Sequence, residues 1–133
     1  YLLINSRIKV TMTISLRLYH NPNCSKSRAA LTLLKENNVK FETVYYLDHP
    51  PDKKEIRALA VKLGIHLKQL LRKNEATYEQ FDLDNEKLSE EIVLDIVSEH
   101  PILIERPILV RGEKAIIGRP PETVLQFAQE PTP

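Results

Sequence analysis

The sequence predicts an α/β domain made of a β-α-β half and a β-β-α half, with an all-helical insertion between them. Three observations lead to this prediction. Two apolar runs flank an amphipathic run near the start, helical apolar spacing fills the middle, and two short apolar runs precede a final helix. We assign residues 12–51 and 101–130 to the core of a single domain spanning 1–133, and residues 52–100 to the helical insertion.

Composition limits the possible functions. The net charge of +1 gives no argument for a nucleic-acid or membrane partner, and no apolar run among the 133 residues is long enough to span a bilayer. The single cysteine excludes an internal disulfide and a cysteine-based zinc site, so we expect no bound metal or cofactor and a reducing, cytoplasmic location. Residues 1–11 precede the first methionine, Met12, and are interpreted as an upstream or non-native extension.

The first half is predicted to contain a strand over residues 14–19, a helix over 25–36 and a strand over 41–47. Strands joined by a single helix are usually parallel neighbours, so we expect a parallel pair here. The loop between the first strand and the helix contains Cys24, which is therefore expected at or just before the first helical turn.

The insertion is expected to begin with a helix capped by Asp52 and ended by Gly64, and to finish with a helix that Ser89 caps. Two short helices are expected between them, one at residues 67–71 and one at 78–81. The second half is predicted to contain three elements, namely strands at 108–110 and 114–117 with Gly112 in the turn between them, and a helix opened by Pro120-Pro121.

Cys24 is the candidate nucleophile. A helix amino terminus has free N–H groups and a positive dipole end, which favour a thiolate and also bind anions. Ser25 and Ser27 would add donors to a bound oxyanion. His20 would pair with the sulfur as a cation, although it could instead be a core histidine at the end of the strand. Cys24 as a small buried hydrophobe is the other interpretation, which Pro22 and the polar neighbours disfavour.

Four motifs resemble those of the glutaredoxin-linked arsenate reductase family (ArsC-like), in family order, over about residues 14–129. They are HNPxCSxSR at 20–28, LLRKN at 70–74 followed by YEQ at 78–80, HPILIERPI at 100–108, and IGRPPE at 117–122. The resemblance implies a thioredoxin-like fold with a cis peptide bond before Pro107. It also implies that Arg72, Arg106 and Arg119 surround Cys24, where guanidinium groups would bind a tetrahedral oxyanion and lower the thiol pKa.

The activity implied by the resemblance is the reduction of arsenate, or a similar oxyanion, to arsenite through an adduct on Cys24. Glutathione would be the co-substrate and glutaredoxin the partner that resolves the adduct. Ser27 occupies the position of the second thiol in a Cys-x-x-Cys enzyme, so resolution must come from an external thiol. The alternative is an Spx-like or other non-catalytic regulatory protein of the same fold, which commonly carries a Cys-x-x-Cys switch and need not keep all three arginines.

Overall fold

A four-stranded mixed sheet lies at the centre of the computed structural model, which describes residues 15–131. Its strands, in the spatial order β2-β1-β3-β4, are β1 (Leu16–Tyr19), β2 (Glu42–Val44), β3 (Ile108–Arg111) and β4 (Lys114–Ile117). β1 runs parallel to β2 and antiparallel to β3, and β3 runs antiparallel to β4. The two predicted halves therefore join through the β1–β3 pair, and the predicted thioredoxin-like α/β fold is confirmed.

Five α-helices are present in the described range, and none of them is long and apolar enough to cross a membrane. They are α1 (Ser25–Glu36), α2 (Lys53–Leu63), α3 (Ala76–Gln80), α4 (Glu90–Glu99) and α5 (Thr123–Ala128). Two 3₁₀ turns are also present, Leu67–Leu70 within the insertion and Pro101–Leu103 directly after it. The order of helices confirms the predicted helical segment between the two halves.

The sheet separates two apolar clusters. The smaller one, between the sheet and the helices α1 and α5, is built on buried side chains such as Leu18, Leu34 and Leu109. The larger one lies under the insertion and includes Leu59 of α2 and Leu94 of α4. Since burial of apolar area is the main stabilising term in folding, these two clusters hold the helices in place on the sheet.

The predicted helix signals correspond to observed caps. The Asp52 carboxylate accepts the Glu55 N–H at 2.8 Å, and the Ser89 hydroxyl accepts the Ile92 N–H at 3.2 Å. Gly64 ends α2 in the left-handed conformation, at φ 69°. These contacts satisfy backbone groups that a helix end otherwise leaves unpaired.

Several boundaries differ from the prediction, and two of the differences have a clear cause in the hydrogen bonds. β2 ends at Val44 rather than at residue 47, because the carbonyl of Tyr45 accepts the N–H groups of Asp48 and His49 and turns the chain. The last helix begins at Thr123, after a turn that contains Pro120-Pro121, and not at the prolines themselves. The predicted extension over residues 1–11 and the start of the first strand at Ile14 lie outside the described residues.

Candidate active site

The loop between β1 and α1 places Cys24 at the amino end of the helix. The Asn21 carbonyl accepts the Cys24 N–H at 3.1 Å, and the Asn21 side chain accepts the Asn23 N–H at 2.9 Å, so the loop folds on itself. Cys24 is the N-cap of α1, with extended backbone angles and a partly exposed side chain that caps no helix N–H. The thiol is therefore accessible and lies next to the free N–H groups of the first turn.

The surroundings of Cys24 favour its thiolate form. Burial of the sulfur acts to raise the pKa, but it is outweighed by the nearby backbone N–H groups of Ser27 and Lys26 and by the positive charge of the Arg106 guanidinium. The net effect is a thiol pKa below its ordinary value. Both the helix end and a fixed cation thus contribute to the ionisation of Cys24.

The alkylation rate of Cys24 with iodoacetamide should reveal this lowered pKa. Because only the thiolate reacts, the rate should fall as the pH drops through the pKa, with a midpoint below the value of about 8.5 for an unperturbed cysteine. The chain contains no other cysteine, so the signal comes from this residue alone. A midpoint at or above that of a cysteine in a denatured sample would contradict the assignment.

His20 and Ser27 form a buried pair behind the loop. The His20 Nδ1 and the Ser27 Oγ are 2.7 Å apart, and the same hydroxyl accepts the Asn21 N–H at 3.0 Å. Burial, and after it the positive charges of Lys35 and Arg28, lower the pKa of His20, so the neutral ring is favoured at neutral pH. The Nδ1 atom of a neutral imidazole can accept a hydrogen bond from the Ser27 hydroxyl.

This arrangement corrects two expectations about how these side chains act. His20 was expected to be a cation beside the sulfur, but its contact is with Ser27 and its pKa favours the neutral form. The Ser27 hydroxyl was expected to reach an oxyanion, but it is fully buried and already bonded within the loop. Ser27 acts on the thiol through its backbone N–H. Ser25 is exposed at the first position of α1, where its contact with an oxyanion stays a prediction.

Arg72 and Arg106 are brought together by a short pairing of backbone segments that are far apart in sequence. Leu71 and Ile104 form an isolated antiparallel bridge, in which the Arg72 N–H donates to the Leu103 carbonyl at 2.7 Å and the Glu105 N–H donates to the Leu70 carbonyl at 2.8 Å. The bridge sets the second and third sequence motifs side by side. It therefore explains why two arginines on separate loops point into one region.

Arg106 is almost completely buried, at 7% exposure. Its guanidinium donates to the Ile102 carbonyl at 3.0 Å and lies 3.6 Å from the Glu75 carboxylate, which is also 3.2 Å from the Arg72 Nε. The Nε atoms of both arginines are buried and have no well-formed hydrogen bond within residues 15–131. The Arg72 Nε is held beside the Glu75 carboxylate by charge attraction, whereas the buried Arg106 Nε has no acceptor within the described residues and remains available to a bound anion.

Arg119 approaches the same region from the opposite loop. Its Nε donates to the Arg106 carbonyl at 3.1 Å, and the Gly118 N–H donates to the Pro107 carbonyl at 2.8 Å. A Cβ on Gly118 would lie 2.7 Å from Val124 and 2.9 Å from Pro107, so only glycine allows this close approach. The Arg106–Pro107 peptide is cis, as expected, and so is Arg119–Pro120, which was not anticipated.

A polar cavity of about 410 Å³ adjoins the arginines, and both Arg72 and Arg119 line it. Lys68 and Lys73 add positive charge to its wall, and Glu105 adds one negative charge. Neither Cys24 nor Arg106 lines this cavity, so the expectation that Arg72 and Arg119 surround the thiol stays a prediction. Within residues 15–131, no three His, Cys, Asp or Glu side chains are grouped so that they could hold a metal ion.

Two residues of this region were missed by sequence reasoning. Glu75 was missed because an acidic residue beside an expected anion site carries no recognisable pattern. Tyr46 was interpreted only as part of a strand, although its buried hydroxyl lies near Arg106 and Cys24. The sequence signal that could have pointed to Glu75 is its spacing of three residues from Arg72, which brings two such side chains together in a turn.

Together these features place the chain among thioredoxin-like proteins that carry a single cysteine at the start of the first helix. A profile of the ArsC family matches residues 19–127. The chain belongs to the ArsC family.

Individual relatives match almost their whole length. A protein of Escherichia coli K12, YfgD, described as uncharacterized, is 47% identical over 117 residues, which cover 87% of this chain and 98% of the relative. An arsenate reductase of Haemophilus influenzae is 44% identical, covering 86% and 99%. A solved structure of an arsenate reductase from Vibrio cholerae is 38% identical, with a TM-score of 0.81 and coverage of 86% and 98%.

Proposed function

We propose that this protein is an arsenate reductase, an oxidoreductase that reduces arsenate to arsenite through Cys24. The observation that carries the proposal is the partly exposed thiol at the amino end of α1, whose pKa is lowered by the backbone N–H groups of the first turn and by the positive charge of Arg106. Arg72 and Arg119 stand next to Arg106 and supply further fixed positive charge. The relatives from Haemophilus influenzae and Neisseria meningitidis that are named arsenate reductase support the choice of substrate.

The first chemical step follows from these groups. The Cys24 thiolate attacks the arsenic atom, a sulfur–arsenic bond forms, and one arsenate oxygen leaves as water after protonation. Guanidinium donors fit the oxygens of a tetrahedral anion and offset the repulsion between the thiolate and the anion. Their fixed positions also stabilise charge that develops on the oxygens in the transition state.

Two external thiols then supply two electrons. Glutathione bonds to the arsenic of the Cys24 adduct with loss of a second water. A glutaredoxin thiolate attacks the glutathione sulfur. The bond between that sulfur and arsenic breaks, and its electron pair stays on arsenic, which becomes As(III). Glutathione and glutaredoxin leave as a mixed disulfide. Water then hydrolyses the bond between the Cys24 sulfur and arsenic, which releases arsenite and the free Cys24 thiol. Such thiol exchange needs a reducing compartment, which supports a cytoplasmic location.

The donor system tests this proposal because Ser27 leaves the chain without a second thiol. We expect turnover of arsenate with glutathione plus glutaredoxin, and little turnover with thioredoxin and thioredoxin reductase alone. The measurement is NADPH consumption in both coupled systems at matched donor concentrations. Equal or faster turnover with thioredoxin in the absence of glutathione would contradict external resolution by glutathione. No arsenate-dependent consumption in either system would contradict the proposed activity.

A further inference from the structure

Tyr46 is a large, buried polar side chain near Cys24 that the proposed reaction does not use. It follows β2 by two residues, at the edge where the Val44 carbonyl accepts the His20 N–H at 3.0 Å. The side chain is 0% exposed and packs in the larger apolar cluster, among residues such as Leu70 and Ile104. The ring is thus fixed between the Cys24 loop and the segments that carry the arginines.

The Tyr46 hydroxyl is left without a hydrogen bond. Its oxygen is buried, and the described part of the chain gives it no well-formed hydrogen bond. The Asn21 side chain lies near the phenol and lowers its pKa, as a donor amide does, so it provides no acceptor for the hydroxyl proton. A buried hydroxyl that is unpaired costs free energy, which is why native structures rarely keep one unless a ligand or water completes it.

The charged groups around this hydroxyl belong to the proposed site. Burial raises the pKa of Tyr46 to about 12. The positive charges of Arg106 and Arg72 lower this pKa, whereas the negative charge of the Cys24 thiolate raises it. The phenol therefore keeps its proton at physiological pH and is a donor rather than a base. An unpaired donor that is influenced by the same thiolate and the same two guanidiniums lies close to where an oxyanion would sit.

We propose that the Tyr46 hydroxyl donates a hydrogen bond to an oxygen of the oxyanion bound between Cys24 and the arginines, so that Tyr46 is a substrate-binding residue. This inference rests on the oxyanion site of the proposed function. The Tyr46 hydroxyl would add a neutral donor to the charged guanidinium groups, and a neutral donor does not change the net charge of the site. Its contribution is therefore directional, as expected of a group that orients a tetrahedral anion before attack.

The test is Tyr46→Phe, with Tyr45→Phe as a matched control on the adjacent, 43% exposed tyrosine. Binding is measured as the protection of Cys24 from iodoacetamide by inorganic arsenate, which requires no turnover. Because hydrogen bonds to charged groups are worth more than neutral ones, we expect Tyr46→Phe to need about 10- to 100-fold more arsenate for half-protection. The control should match the wild type. The melting temperature without arsenate should not fall in Tyr46→Phe, because the deleted hydroxyl has no partner to lose.

Two results would overturn the inference. One is half-protection of Tyr46→Phe at the wild-type arsenate concentration, or no protection of the wild type at all. The other is a lower melting temperature of Tyr46→Phe in the absence of arsenate, which would make the hydroxyl a structural group. A wild type that arsenate protects but that turns none over would contradict the proposed activity and leave Tyr46 as a binding residue.

Discussion

Replacing Cys24 with serine is expected to abolish arsenate reduction, with a loss of about a thousandfold or more, because the nucleophile and the site of the covalent adduct are removed together. A serine hydroxyl is a far weaker nucleophile than a thiolate, and the His20 Nδ1 that could activate it is already bonded to Ser27. The measurement is arsenate-dependent NADPH consumption with glutathione and glutaredoxin present.

The fold should survive this substitution. Cys24 is the N-cap of α1 and its sulfur caps no N–H group, whereas serine is among the preferred N-cap residues. We therefore expect Cys24→Ser to have a melting temperature equal to or higher than that of the wild type, so lost activity cannot be attributed to unfolding. Activity of Cys24→Ser within tenfold of the wild type would refute the thiol mechanism.

The second large effect is expected for Arg106→Lys. The buried guanidinium donates to the Ile102 carbonyl, approaches Glu75 and acts on the Cys24 sulfur, and a single ammonium group cannot reproduce this set of directions. Removing one preorganised donor from an anion site typically costs about 100-fold or more in turnover, so we expect kcat/KM to fall by about that factor. The midpoint of Cys24 alkylation should also rise, because the donor that stabilises the thiolate is displaced.

Arg57→Lys is the matched control for this experiment. Arg57 is exposed on α2 and pairs with Glu90 and Glu91 of α4, where surface ion pairs contribute little and charge is retained by lysine. Its kcat/KM and alkylation midpoint should equal those of the wild type. If Arg106→Lys also kept both values, Arg106 would have no role in activating Cys24.

Local patterns were sufficient to predict the position of Cys24. The change from a continuous apolar run to helical apolar spacing marks the strand-to-helix boundary within one or two residues, and the position of the cysteine follows from that boundary. Helix caps such as Asp52 and Ser89 were predictable for the same reason, since their partners lie three residues away.

Long-range contacts were not predictable from periodicity. The bridge between Leu71 and Ile104 joins segments more than thirty residues apart and has no sequence signature, so only the family motifs suggested that Arg72 and Arg106 meet. The orientation of side chains was not predictable from the sequence either. Ser27 was correctly placed in the first turn of α1, but the spacing of residues does not tell whether its hydroxyl faces the solvent or the His20 ring.

The Glu75 carboxylate gives the site a resident counter-ion. One of its oxygens lies 3.2 Å from the Arg72 Nε and 3.6 Å from the Arg106 guanidinium, so both arginines are partly neutralised before any substrate arrives. An incoming anion has to compete with a carboxylate for the same cations, and only an anion of higher charge gains from that exchange. We therefore expect the site to exchange its internal carboxylate for the substrate, and to prefer divalent tetrahedral anions over monovalent carboxylates.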